Sequence, residues 1–110
     1  MIDWTRVAEL RDEIGAEDFE EVAELFLMEV EDSLSRLDAG TGDAVQMQEL
    51  MHFLKGSALN LGFSDVSTLC SQAEADAAQG KLTINPEELR ALYAKSRQAF
   101  ETEYPTRFAA

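Results

Sequence analysis

Apolar residues recur along this chain at intervals of three and four, the spacing that gathers side chains on one face of an α-helix. No segment alternates apolar and polar residues in the manner of a half-buried strand flanked by hairpin turns. A first, short helix is expected after Asp3 as N-cap, with Trp4, Val7, Leu10 and Ile14 on one side and Gly15 ending it. A second runs from about Glu17 to Asp38, with Phe19, Val22, Phe26, Val30, Ser33 and Leu37 near one stripe. The third spans about Asp43 to Leu61, carries Met47, Leu50, Leu54, Ala58 and Leu61 inward, and stops at Gly62. The fourth is expected to start at Ser64 as N-cap, to bury Val66, Leu69, Cys70, Ala73 and Ala77, and to fade at Gly80. For the fifth, Asn85 is the N-cap and Pro86 the first helical residue, with Glu87 and Glu88 favouring the helix dipole. Its stripe is Leu89, Leu92, Tyr93, Ser96 and Phe100, and it is expected to end before Pro105.

Four long helices joined by short loops, with breakers at Gly40–Gly42 and Gly80, predict an all-α fold: an antiparallel up-and-down four-helix bundle. The short N-terminal helix is expected to lie across one end or side. The bundle covers about residues 17–104 of a single domain, residues 1–110, and 105–110 form a loose tail.

Composition narrows the function. The chain has 110 residues, 45% hydrophobic and 28% charged, with no apolar run near the length that crosses a bilayer. Asp3, Arg6 and Glu9 interrupt the start, so no secretory apolar region follows Met1 and a cytoplasmic protein is expected. One cysteine, Cys70, excludes an internal disulfide, and one histidine excludes a cysteine–histidine zinc site. A net charge of −13 repels phosphate backbones and anionic lipid, so neither nucleic acid nor membrane is expected as a partner. Docking to another acidic protein would then need an apolar patch.

The sole histidine, His52, sits on the third helix roughly opposite its apolar stripe, beside Lys55 and Gly56. A lone helical histidine is ordinarily solvated and inert; its neighbours change that. The turn between the third and fourth helices centres near Phe63, and His52 and Glu74 lie eleven residues before and after it. In an antiparallel hairpin the two stand at the same height. A carboxylate that accepts the Nδ1 proton leaves Nε2 with a free lone pair for nucleophilic work. It would also stabilise the positive ring once Nε2 is substituted. The wheel sets one condition: His52 must lean toward the fourth helix for the contact to form. Lys55, at i+3, can meet an incoming anion. Gly56 costs about 1 kcal/mol of helix stability relative to alanine, and either open access to the ring or close helix packing would account for it.

The run His52-Phe53-Leu54-Lys55-Gly56-Ser57-Ala58-Leu59-Asn60-Leu61-Gly62 resembles the signature of histidine-containing phosphotransfer (HPt) domains, and the likeness continues through Leu69, Cys70 and Glu74 to Gly80. The resemblance implies that His52 is phosphorylated at Nε2 and relays the group between aspartates of receiver domains. It implies that Lys55 assists the phosphoryl group, that Gly56 permits access and that Glu74 orients the ring. Response-regulator receiver domains and a sensor (hybrid) histidine kinase are the implied partners. Mg²⁺ is expected in the receiver, no cofactor is expected on this chain, and a monomer is expected. Without a glycine-rich phosphate loop or an ATP-binding domain, the chain reads as a relay and not a kinase.

Ser57 matches the signature but faces closer to the core, so it reads as packing. Position 59 is often small in the family, whereas here it is Leu59 on the outward face with His52, where a larger side chain either joins a docking surface or crowds the partner. Val45 shares that face, and Leu25 and Met28 fall off the buried stripe of the second helix. At least half of these are expected to pack against the first helix, and the rest, with Leu59, to form an apolar receiver-docking patch. Two rivals remain. A non-catalytic helical adaptor would share the helices and the charge but gives no reason for Lys55, Gly56 and Glu74 to surround the histidine. A cysteine or histidine hydrolase would need Cys70 exposed and an oxyanion-hole loop, and the stripe instead makes Cys70 a small core residue.

Overall fold

Short polar side chains set the helix starts by accepting backbone N–H groups that no preceding turn can satisfy. The computed structural model describes residues 2–39 and 42–108. Its helices are α1 (Trp4–Ile14), α2 (Phe19–Ala39), α3 (Ala44–Asn60), α4 (Ser64–Ala78) and α5 (Pro86–Arg107). Asp3 accepts from Arg6 N at 3.2 Å, Asp43 from Gln46 N at 2.8 Å, and Asn85 from Glu87 N and Glu88 N. Gly15 closes α1 with φ 104, a left-handed value open to glycine. Among the described residues no strand forms; an isolated bridge joins Ile2 to Phe63. The expected breaker at Gly40, and the last two residues of the expected tail, lie outside the described residues.

Three expectations need correction. Phe63, not Ser64, occupies the N-cap of α4, and no side chain caps it. Phe63 is fully buried, and its ring packs on Tyr93 and Phe100, so the turn is held by core contacts instead. The fifth helix does not stop before Pro105 but continues to Arg107. Proline removes one helical hydrogen bond, and an aromatic ladder of Phe100, Tyr104 and Phe108 against Trp4 and Phe19 holds the turn in spite of it. The expected loose tail is thus anchored at its start: Arg107 lies over the Trp4 ring and Arg11 over Phe108. Finally, Val22, Phe26 and, on α4, Leu69 are only half-buried, while Ala23, Leu27 and Leu34 are buried. The buried face of α2 is rotated because the helix packs on α5 as well as on α3.

The most extensive helix contact is between α3 and α4, which doubles back along it; α2 packs on α3 and α5, and α4 on α5. Fully buried Phe19, Leu27, Met51, Leu54, Leu61, Phe63, Val66 and Leu89 form the centre, each contributing about 1.5–3 kcal/mol through its removal from water. Ser33, Ser57, Ser67 and Ser96 are buried among them, where small side chains let helices approach closely. Tyr93 ties α5 to α2 by donating to the Glu31 carboxylate at 2.6 Å, and Arg97 meets the same carboxylate. Burial first, and then the hydrogen bond to Glu31 and its charge, push the Tyr93 phenol up.

The α3–α4 turn is also where α1 attaches. Gly62 has φ 73, and a Cβ there would stand 2.6 Å from the Asp3 carbonyl oxygen, so only glycine fits. Asp3 N donates to Gly62 O at 2.7 Å, and Arg6 donates to Asn60 Oδ1 at 2.8 Å. These bonds place α1 against the end of α3.

Candidate functional site

On α3 the apolar residues Met47, Leu50, Leu54, Ala58 and Leu61 turn inward, which directs His52 to solvent with its side chain 70% exposed. Glu74 springs from the buried side of α4, between Cys70 and Ala77, and comes out in the seam between the two helices. It is the better covered partner, 19% exposed, and its Oε2 lies 2.9 Å from His52 Nδ1. The lean that the helical wheel requires is therefore met. A carboxylate can only accept, so Nδ1 donates, and in the neutral ring Nε2 then keeps the free lone pair.

The second carboxylate oxygen is also used. Glu74 Oε1 is 2.6 Å from Lys55 Nζ, on the flank of α3 that faces α4. The Lys55 hydrogen bond foremost, and the His52 bond after it, hold the Glu74 carboxyl below the usual glutamate range, although burial pushes the other way. The three side chains thus form one connected unit around an exposed imidazole.

Gly56 lies one turn beyond His52. A Cβ built there meets nothing within 4 Å. Close helix packing therefore does not require the glycine, and the space above it is open. Ser57, by contrast, is buried, in line with a packing role. Cys70 is fully buried, and burial first, then the Glu74 charge, push its thiol up to about 12. Such a thiol stays protonated and cannot serve as a nucleophile at neutral pH.

Leu59 and Val45 are both exposed on the outward face of α3 that carries His52. Shallow grooves flank Leu59 on either side, each about 560 Å³, one reaching Arg6 and Asn60 and the other Lys55 and Thr68. Leu25 and Met28 are exposed as well and lie outside the packed core, which corrects the expectation that at least half of these residues are covered by α1. They line a groove of about 520 Å³ between α2 and α3 with Glu29, Asp32 and Phe53. Phe53 was not singled out from the sequence. Next to His52 in the chain, it sits on the opposite flank of α3 from Lys55, toward α2, and remains 46% exposed. Its signal was available: about 100° off the centre of the buried stripe, a phenylalanine has no assured place in the core.

No helix among the described residues is long and apolar enough to cross a membrane. Compared with known families, the chain matches the family model described as Hpt domain over residues 21–103. That span takes in most of α2, all of α3 and α4, and most of α5, with every member of the His52 unit. No curated protein and no solved structure gives a match.

Proposed function

The chain belongs to the Hpt domain family, whose members carry out phosphotransfer with receiver domains in two-component signalling, and on that premise we propose that His52 is its phosphoryl carrier. Nε2 accepts the group from a receiver aspartate, or from a hybrid kinase through its receiver, and passes it to another receiver domain. The observation that carries this reading is the Nδ1–Glu74 hydrogen bond on a ring that is 70% exposed. It joins a fixed tautomer to an accessible nucleophile.

Each neighbour has a part. Glu74 orients the ring and stabilises the positive charge that appears when Nε2 is substituted. Lys55 meets the phosphoryl oxygens, and Gly56 leaves room for the partner to reach Nε2. The receiver brings Mg²⁺ and most of the catalytic apparatus, and this chain binds no cofactor. Leu59 and Val45 around the histidine, with Leu25 and Met28 across the α2–α3 groove, make an apolar docking surface on an otherwise acidic molecule.

The whole chain acts as one domain and as a cytoplasmic monomer, built on an antiparallel four-helix bundle. Supporting the bundle, α2, α3, α4 and α5 each touch the next, and α5 returns to α2. Incubation with a phosphorylated receiver tests the function. Acid-labile label should move to this chain and vanish in His52→Gln. No label from any donor would leave a non-catalytic adaptor as the better reading.

A further inference from the structure

Both oxygens of the Glu74 carboxylate are committed, Oε2 to His52 Nδ1 at 2.9 Å and Oε1 to Lys55 Nζ at 2.6 Å. In the nucleophilic form the imidazole carries one proton, on Nδ1, and no charge. Lys55 is then the cation that balances Glu74. Resting on the phosphotransfer reading above, we propose that phosphorylation hands Lys55 over from Glu74 to the phosphoryl group.

The charges of the step lead there. The Nε2 lone pair forms the N–P bond as the aspartyl O–P bond breaks, and that electron pair returns to the receiver's carboxylate. The Nδ1 proton stays where it is, so the substituted ring becomes a cation bearing a phosphoryl dianion. Through a hydrogen bond it already makes, the ring now supplies Glu74 with a countercharge. Lys55 is released at the moment a dianion appears beside it.

Lys55 is three residues beyond His52, so the two side chains leave neighbouring positions on α3. The side chains of the Lys55–Glu74 pair are 28% and 19% exposed, so water takes part in solvating both groups when they separate. Glu74 is on this account a positioning residue for the lysine as well as for the ring. Without it, the ammonium would have no fixed station before the partner arrives.

The chain has three lysines, Lys55, Lys81 and Lys95, which makes their side-chain ammonium resonances assignable in a ¹⁵N-lysine-labelled sample. In the unphosphorylated chain Glu74→Gln, which keeps an acceptor for Nδ1, should shift the Lys55 resonance and leave the other two in place. After phosphorylation with phosphoramidate the Lys55 resonance should shift in the unsubstituted chain, and Glu74→Gln should then hardly move it. Lys55→Met should displace the ³¹P resonance of the phosphohistidine. A Lys55 signal that phosphorylation leaves unmoved, or that responds equally to Glu74→Gln in both forms, overturns the hand-over while phosphotransfer stands. If neither phosphoramidate nor a phosphorylated receiver produces a His52-dependent ³¹P signal, both fall.

Discussion

Replacing Gly56 by alanine should make the protein more stable and less active. In a helix interior alanine is favoured over glycine by about 1 kcal/mol, partly because the unfolded chain loses freedom. Nothing in the fold opposes the gain, since an added Cβ meets no atom within 4 Å. For a chain of 110 residues, unfolding entropy of about 2 cal/mol/K per residue converts 1 kcal/mol into a rise in Tm of about 4 °C. Transfer should move the opposite way. Side chains on a helix lean toward its N-terminus, so the new methyl group projects toward the His52 ring. A displacement of the incoming phosphoryl group by as little as 1 Å costs about a hundredfold in a step that depends on positioning. A loss of at least about tenfold in transfer rate, 1.4 kcal/mol, is therefore expected. Thermal denaturation followed by circular dichroism, and single-turnover transfer from a phosphorylated receiver, measure the two effects on one sample. A lower Tm would mean that the glycine serves the fold. A higher Tm with unchanged transfer would mean that the space above it serves nothing.

Other outcomes follow from the same geometry. Leu59→Glu should slow phosphoryl exchange with the cognate receiver and leave helicity unchanged; unaltered exchange would remove Leu59 from the docking surface. Phe53→Ala should likewise slow exchange while lowering stability by only about 1 kcal/mol, as expected for a side chain that stays about half exposed; a loss of about 3 kcal/mol or more would show that Phe53 belongs to the core. Because Glu74 titrates below its unfolded value, its contribution to stability is complete above the ordinary carboxylate pKa of about 4.3 and is lost as pH falls through the lower folded value. Melting curves between pH 3 and 7 should therefore fall more steeply at the acid end for the natural chain than for Glu74→Gln, and parallel curves would refute the coupling.

Much of the architecture could be read from local chemistry. Asp3, Asp43, Asn85 and Pro86 mark helix starts through backbone groups within three or four residues, and the glycines at 15 and 62 mark ends through their dihedral angles. The height match between His52 and Glu74 needed only a count across one short turn. What escaped depends on distant packing. Pro105 reads as a helix end until Trp4 and Phe19 are placed against Tyr104 and Phe108. Ser64 reads as a cap until the burial of Phe63 is known. The reason for Gly56 stays open in the sequence, because either open access or close packing would preserve it. Phe53 escaped for a similar cause: a flank position is core or surface according to where the neighbouring helix lies.

The Gly62 turn has a consequence for how far the rest of the molecule can vary. Its glycine, held against Asp3, acts as the zero of a ruler along which α3 and α4 are measured. One residue added within α3 or α4 between that turn and the site would shift His52 or Glu74 by about 1.5 Å along its helix and about 100° around it, taking the pair out of register. Residues added at the far ends of either helix would shift nothing between His52 and Glu74. Length is thus fixed on one side of the site and free on the other, so the chain could be extended or fused at the open end of this hairpin without disturbing the imidazole.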